Sequence, residues 1–271
     1  MIFVAKKPRG ISSAQFLSRL KREKGLNNPG YSGTLDPFAS GVLIIADSGH
    51  TRLFRFLNKT PKIYKARLEL GLVSLSLDDE NVEEVLEYKP LHQESIKIAL
   101  SSLVGDLEYL PPSFSAKHVN GERAYKRARR GEEVELKPCV MSVYEAKFLA
   151  YSHPFIDFEI KISEGGYARS FAQLLCKKLG LKGSLRELER LGEGDFVYEN
   201  ERALDAYKAI ALPENQYLGD IKDLELGKKL DIKGFLKGDE CCYKIDLGDA
   251  FSILELTQGS VKYIINRMKK C

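Results

Sequence analysis

The stretch Gly30-Tyr31-Ser32-Gly33-Thr34-Leu35-Asp36-Pro37-Phe38-Ala39-Ser40-Gly41 runs directly into Val42-Leu43-Ile44-Ile45-Ala46. The uninterrupted apolar run reads as a buried strand. The glycines before it allow a sharp bend that brings the backbone close to a partner. Asp36 sits on that bend. Because it precedes Pro37, its backbone is biased toward an extended conformation, so a short carboxylate is held on a stiff support beside a hydrophobic floor. Such a support suits a reactive group, and the same Asp-Pro pair also serves simply to begin a turn.

A chain of 271 residues can bury a large core, as one domain or as one large and one small. It carries no low-complexity tract and no internal repeat, so a globular protein is expected. The net charge of +4 permits a nucleic-acid partner without requiring one. Cys139, Cys176, Cys241, Cys242 and Cys271 form no Cys-x-x-Cys pair and the histidines are scattered singly, so no zinc constellation can be drawn. An odd cysteine count points to reduced thiols. Residues 1–8 are too short an apolar run for a secretory segment and no apolar run is long enough for a membrane span, so a cytoplasmic protein is expected. The absence of Gly-x-x-x-x-Gly-Lys-Ser/Thr excludes a P-loop nucleotide enzyme.

Residues 2–5 read as a strand, and Ser12 or Ser13 can cap a helix with Phe16, Leu17 and Leu20 on one face and Gly25 at its end. Residues 51–57 read as a short helix. Residues 63–70 alternate, with Tyr64, Ala66, Leu68 and Leu70 on one face and Lys65, Arg67 and Glu69 on the other. On this pattern alone Tyr64 is a core tyrosine with its hydroxyl at an edge. Residues 95–103 have helical spacing with Gly105 as a stop, and residues 140–149 and 155–162 read as strands. Gly165-Gly166 then introduces a helix with Phe171, Leu174 and Leu175 inward and Gly180 at its end. Arg169 stands at its electropositive start and so calls for an anion, either a phosphate or Asp36. Residues 201–211 read as a helix, Pro213 marks a boundary, and several short strands with basic residues follow.

The most basic part of the chain, residues 111–131, carries Lys117, Arg123, Lys126, Arg127, Arg129 and Arg130 against one Glu, interleaved with Phe114 and Tyr125. That mixture suits an RNA backbone and its splayed bases, and equally a solvated helix face.

The stretch around Asp36 resembles the signature of the TruB family of tRNA pseudouridine synthases. Lys7-Pro8-Arg9-Gly10-Ile11-Ser12-Ser13, residues 64–78, residues 111–131 and Gly165-Gly166-Tyr167-Ala168-Arg169-Ser170 resemble further parts of that family in the same order. The resemblance implies an α+β pseudouridine synthase fold, with a mixed β-sheet flanked by helices. Residues 1–212 would form the catalytic domain, with an RNA-binding arm at 113–131. The basic residues of that arm repel one another when no phosphate is present, so a mobile segment that orders on RNA is expected. Residues 213–271 would form a small β-rich domain similar to a shortened PUA barrel, the alternative being a β-extension packed on the main domain. The implied reaction converts uridine 55 in the T-loop of tRNA to pseudouridine after the base is flipped out.

In that reading Asp36 is the nucleophile, Tyr64 stacks under the target base, and Arg169 pairs with Asp36. Lys7, Tyr31, Tyr167 and Leu188 contact the substrate, Leu188 as an apolar lid, while Lys117, Arg123, Lys126, Arg127, Arg129 and Arg130 hold RNA. Asp36 could attack the ribose, add to the uracil ring, or assist glycal formation. No cofactor or metal is implied. The expected partner is the T-arm of tRNA, with no membrane and no obligatory protein partner, the chain acting as a monomer. Tyr31 stands where the family has histidine, and a packing role is expected for it. Glu189 replaces a basic residue, and Asp78 matches an acidic position in a Ser-x-Ser-x-Asp run.

Two other classes compete. A glycoside hydrolase needs two facing carboxyl groups, for which Asp78 would have to join Asp36. A non-catalytic RNA chaperone would keep the basic segment and have no need of Asp36, Tyr64 and Arg169 together.

Overall fold

The computed structural model describes residues 1–115, 117–119 and 121–271; Ala116 and Asn120, within the expected arm, lie outside the described residues. Strand β1 (Ile2–Lys7) leads into helix α1 (Ser13–Lys24). Ser12 caps α1 by accepting from the Gln15 N–H, while the Gln15 side chain accepts from the Ser12 N–H, and Gly25 closes the helix in a left-handed conformation. Phe16 and Leu20 bury the helix against Phe3, Ala5, Leu43 and Ile45. The glycine-rich stretch forms β2 (Gly30–Ser32), an irregular bend, and β3 (Ser40–Ala46), which is buried along nearly its whole length.

Residues expected to form a short α-helix instead wind as a tighter 3-10 helix (Ser48–Phe56). Next come β4 (Lys62–Leu70), with the expected alternation, and a hairpin of β5 (Leu72–Ser74) and β6 (Val82–Val85). Helix α2 (Gln93–Ser101) stops at Ser102, whose N–H reaches back to Ile98, so Gly105 is not the stop that spacing suggested but opens β7 (Gly105–Tyr109). The basic segment contains a small hairpin, β8 (His118–Val119) and β9 (Glu122–Arg123), and the short helix α3 (Ala124–Arg129). Strands β10 (Cys139–Ser152) and β11 (Phe155–Ile162), helix α4 (Ala168–Leu179) and strand β12 (Gly183–Glu193) complete the framework of the site. Strand β13 (Phe196–Val197) pairs with the end of β12.

The helix expected over residues 201–211 is reduced to one turn, α5 (Ala206–Ala209), preceded by β14 (Ala203–Leu204). Strand β14 pairs with β1, and the Ala206 N–H donates to the Lys270 carbonyl. Backbone partners offered by distant strands override the local helical spacing. Beyond it, α6 (Ile221–Glu225) and a 3-10 turn (Ile232–Gly234) precede the antiparallel sheet β15 (Cys241–Asp246), β16 (Ala250–Thr257) and β17 (Ser260–Lys269). Phe251, Ile253, Ile265 and Met268 of this sheet share one hydrophobic cluster with Ile2, Val4, Val42 and Ile44.

The main sheet runs β14-β1-β3-β12-β4-β11-β10-β7, with β2 added on β3. Among the described residues its one parallel strand pairing joins β3 to β12, with Glu189 opposite Ser40 and Arg190 opposite Gly41. That seam lies where the glycine-rich bend enters the sheet. Helices α2 and α4 cover the β4–β11–β10 half, burying Leu68, Phe158, Ile160 and Phe171. At the seam Gly41 has φ +111°, and an added Cβ would lie 2.2 Å from the Arg190 carbonyl oxygen. Gly180, also left-handed at φ +70°, has open space around it.

Gly41→Ala is therefore expected to destabilise the fold by more than about 3 kcal/mol, because neither backbone can yield without breaking the pairing. Gly180→Ala, which meets only the left-handed penalty, should cost about 1 kcal/mol. Denaturant unfolding of both variants checks the difference, and equal losses would show that the seam can open without cost.

Candidate active site

Asp36 projects from the bend between β2 and β3, and that bend is pinned from beneath. The Gly10 N–H donates to the Pro37 carbonyl at 2.8 Å, and the Ala39 N–H to the Asp36 carbonyl at 3.1 Å. Ser13 on α1 bonds the Leu35 backbone twice, accepting from its N–H and donating to its carbonyl, each at 2.9 Å. The fully buried Lys7 ammonium donates to the carbonyls of Pro8, Ile11 and Pro37 at 2.9, 2.8 and 3.5 Å. Burial pushes its pKa down to about 8, against the pull of the Asp36 carboxylate. Lys7 thus lies under the loop and lines neither of the cavities beside Asp36.

Arg169, in the first turn of α4, is 2% exposed. Its Nη2 is 2.7 Å from Asp36 Oδ2 and donates to the Phe114 carbonyl at 2.8 Å. Its Nη1 donates to the Ser76 carbonyl at 2.7 Å and reaches Asp78 Oδ2 at 3.5 Å. Asp36 is therefore the anion that an arginine at this helix start requires, and Asp78 is a second one. The sequence offered only the Ser-x-Ser-x-Asp run as a sign of Asp78.

Asp78 is buried and accepts from the Ser76 hydroxyl and, at 3.0 Å, from the Glu80 N–H. Burial dominates these bonds and the arginine, and pushes its carboxyl up to about 6. Both carboxylates turn toward one guanidinium, which is not the arrangement of two acids facing across a scissile bond.

Asp36 and Arg169 form part of the wall of two cavities. The smaller, about 180 Å³, is lined by Thr34, Lys62, Tyr64, Tyr167 and Leu188. The larger, about 420 Å³, is lined by Tyr31, Asp78, Phe114, Arg123, Tyr125 and Arg129. Tyr64 and Leu188, each 7% exposed, present flat and apolar surfaces to the smaller cleft. Tyr31 thus meets the other cavity from Tyr64 and packs its ring beside the α1 cluster.

The remaining basic residues differ among themselves. Arg129 lines the larger cavity with its guanidinium 5.7 Å from the Tyr125 ring centre. Arg130 pairs with Glu122 and Glu132, and Arg127 with Glu132 at 2.9 Å. These two guanidiniums hold the Glu132 carboxyl down to about 2. Lys126 is exposed on the last turn of α3, and Lys117 Nζ donates to Cys139 Sγ at 2.6 Å. Sequence reasoning passed over a buried pair at the seam: Arg190 donates to the Val42 carbonyl at 2.8 Å and the Gly33 carbonyl at 3.0 Å, and its Nη2 lies 3.2 Å from Glu193.

Among solved structures, the fold is similar to that in "Crystal Structure of a Cbf5-Nop10-Gar1 Complex", with a TM-score of 0.69 and 18% identity, covering 99% of this chain and 84% of that one. A second, "Structure of H/ACA RNP bound to a substrate RNA containing 2'-deoxyuridine", gives a TM-score of 0.63, also at 18% identity, with 99% and 84% covered. The mixed sheet with its flanking helices is the pseudouridine synthase fold. Residues 21–168 match the TruB family pseudouridylate synthase (N terminal domain). The chain is 49% identical over 270 residues to a protein of Campylobacter curvus named tRNA pseudouridine synthase B, covering 100% of this chain and 99% of that protein. It is 45% identical over 269 residues to one of the same name from Sulfurimonas denitrificans, with 99% and 98% covered. This chain belongs to the TruB family of pseudouridylate synthases.

The raised Asp78 pKa has a defined consequence for stability. The folded chain keeps a proton on Asp78 where the unfolded chain, near the ordinary value of about 3.9, has lost it. The contribution of this group to stability is therefore greatest below about pH 4 and is lost as pH rises through about 6, by on the order of 2–3 kcal/mol. Asp78→Asn should lack that component. Denaturant unfolding at pH 4.5 and 7 should show wild type losing more stability than the variant; equal losses would mean that Asp78 ionises at an ordinary value.

Proposed function

We propose that this enzyme converts uridine to pseudouridine in the T-loop of tRNA, at uridine 55, with Asp36 as the nucleophile acting on a base flipped into the smaller cleft. The observation that carries this reading is the 2.7 Å pair between the carboxylate of Asp36 and the buried Arg169, set on the wall of a cleft roofed by Tyr64 and Leu188. The names of the curated relatives support tRNA as the substrate.

The reaction must detach uracil from ribose, let it turn, and rejoin it through carbon. Attack at the anomeric carbon, addition to the ring and assistance to glycal formation all begin from an ionised carboxylate held at a fixed point, and Arg169 both favours that charge and sets its direction. Tyr64 and Leu188 give the detached base flat walls that keep water away while it turns, and the Tyr64 hydroxyl can carry a proton. Tyr167, at the start of α4, closes the same cleft. Lys7 serves the substrate indirectly, by holding the Asp36 loop.

The larger cavity, with Tyr31, Tyr125, Arg123 and Arg129, suits the strand flanking the flipped base, since aromatic faces and guanidiniums stack on bases and meet phosphates. Tyr31 there is a packing group. Lys117, Lys126, Arg127 and Arg130 extend the same basic surface. Residues 1–212 act as the catalytic unit, and the β-rich residues 213–271 add RNA contacts to it. The protein works as a cytoplasmic monomer; no helix among the described residues is long and apolar enough to cross a membrane.

The direct test incubates the protein with unmodified tRNA and maps pseudouridine along the T-arm; conversion at uridine 55 alone is expected, and conversion elsewhere or none contradicts the reading. Asp36→Asn should keep tRNA binding while lowering turnover by roughly 10⁴-fold or more, since an amide of the same shape is no nucleophile. Residual turnover within about tenfold of wild type would remove Asp36 from that role. Arg129→Ala should weaken binding and lower the salt slope by about 0.7–0.9, the share of one phosphate contact. Arg127→Ala should change the slope less, because that guanidinium is already paired with Glu132. Salt titrations of the two variants distinguish them.

A further inference from the structure

Three charged groups that the proposed chemistry does not use meet behind the smaller cleft, and one of them, Lys62, lines it. Glu193, the last residue of β12, is fully buried, and neither carboxylate oxygen accepts a hydrogen bond among the described residues. Arg190, whose Nη2 lies 3.2 Å from Glu193 Oε2, has its other terminal nitrogen, Nη1, without a partner among the described residues. Lys62 faces Glu193 across the β4–β12 pairing, and its Nζ lies 3.6 Å from Glu193 Oε1, beyond hydrogen-bond length.

The side chain of Lys62 is 11% exposed, and its ammonium makes no closer polar contact among the described residues. The Lys62 ammonium stands at the cleft with its donors unpaired among the described residues, which leaves them open to an anionic ligand there. Lys62 shares the inward face of β4 with Tyr64 and lines the cleft beside Thr34 and Asp36.

Charge points the same way. The cations that line or underlie the cleft are Lys7, Lys62, Arg169 and Arg190, against the anions Asp36, Asp78 and Glu193. That leaves one positive charge in excess. Lys7, Arg169 and Arg190 each donate to backbone carbonyls, so among the described residues at the cleft Lys62 is the cation left to take a ligand. Along the strand it stands roughly 6–7 Å from Tyr64, a separation suited to the backbone of the nucleotide whose base lies on that ring.

We infer that Lys62 binds a phosphodiester of the target nucleotide, and that Glu193, backed by Arg190, is the positioning residue that aims it. The assignment rests on the reading of this chain as a synthase that flips a uridine into the cleft.

The test uses the full chain carrying Asp36→Asn, which binds without turnover, and a T-arm hairpin RNA. Lys62→Met should weaken binding about tenfold and reduce the salt slope by about 0.7–0.9, and Lys62→Arg should restore the slope. A neutral methylphosphonate at one of the two linkages flanking the target uridine should cause the same loss in the Lys62 protein and no further loss in Lys62→Met. Should Lys62→Met fail to fold, Lys62→Gln is read in its place, and the methylphosphonate loss must shrink there. An unchanged slope, or methylphosphonate losses that add in full at both linkages, overturns the inference. Failure of the chain with Asp36 intact to convert the hairpin would remove the functional reading itself; conversion with an unaffected slope removes only Lys62.

Discussion

The geometry of the site depends on one buried guanidinium. Arg169 binds Asp36 in the β2–β3 bend, Ser76 and Asp78 in the turn of the β5–β6 hairpin, and Phe114 at the entrance to the basic segment. A cation removed from water is tolerated only when it is paired and hydrogen-bonded, so each of these segments must come to it for the fold to close. The planar fork distributes its donors in fixed directions, which a point charge cannot do. Folding and the placement of the carboxylate are in this sense one event.

A second buried arginine works from the opposite side. Arg190 binds the Val42 and Gly33 carbonyls, while Gly41 admits its backbone at a distance no side chain allows. Lys7 and Ser13 hold the same loop from below. A reactive side chain on a loop is ordinarily mobile, and these four contacts give this one the rigidity of the sheet beside it. Such preorganisation lowers the entropy and reorganisation required when the substrate arrives.

Features set by neighbours in sequence were legible. The alternation of β4 and β11, the apolar run of β3, and the caps at Ser12, Gly25 and Gly180 all depend on residues a few positions apart. The need of Arg169 for an anion was legible too, because a helix start disfavours a cation that lacks one, although a phosphate would have served as well as Asp36. Features set across the fold were not. The one-turn helix at Ala206–Ala209 reflects strand and carbonyl partners far away in the chain. The depth of Lys7, the pairing of Asp78 with Arg169 and the Lys62–Glu193–Arg190 cluster require knowing which strands adjoin. Counting charge over 113–131 overstated its repulsion, because Glu132, just outside that range, joins Glu122 in neutralising Arg127 and Arg130.

The claim that Arg169 sets the direction of Asp36 is tested most directly by the single-turnover rate of Arg169→Lys on a T-arm RNA at saturating protein, with binding measured alongside. A lysine retains the charge and loses the fork, so the rate should fall at least about 100-fold while affinity changes by less than about threefold. A rate within about threefold of wild type would show that charge alone suffices, and that the fixed geometry described above is not what the reaction uses.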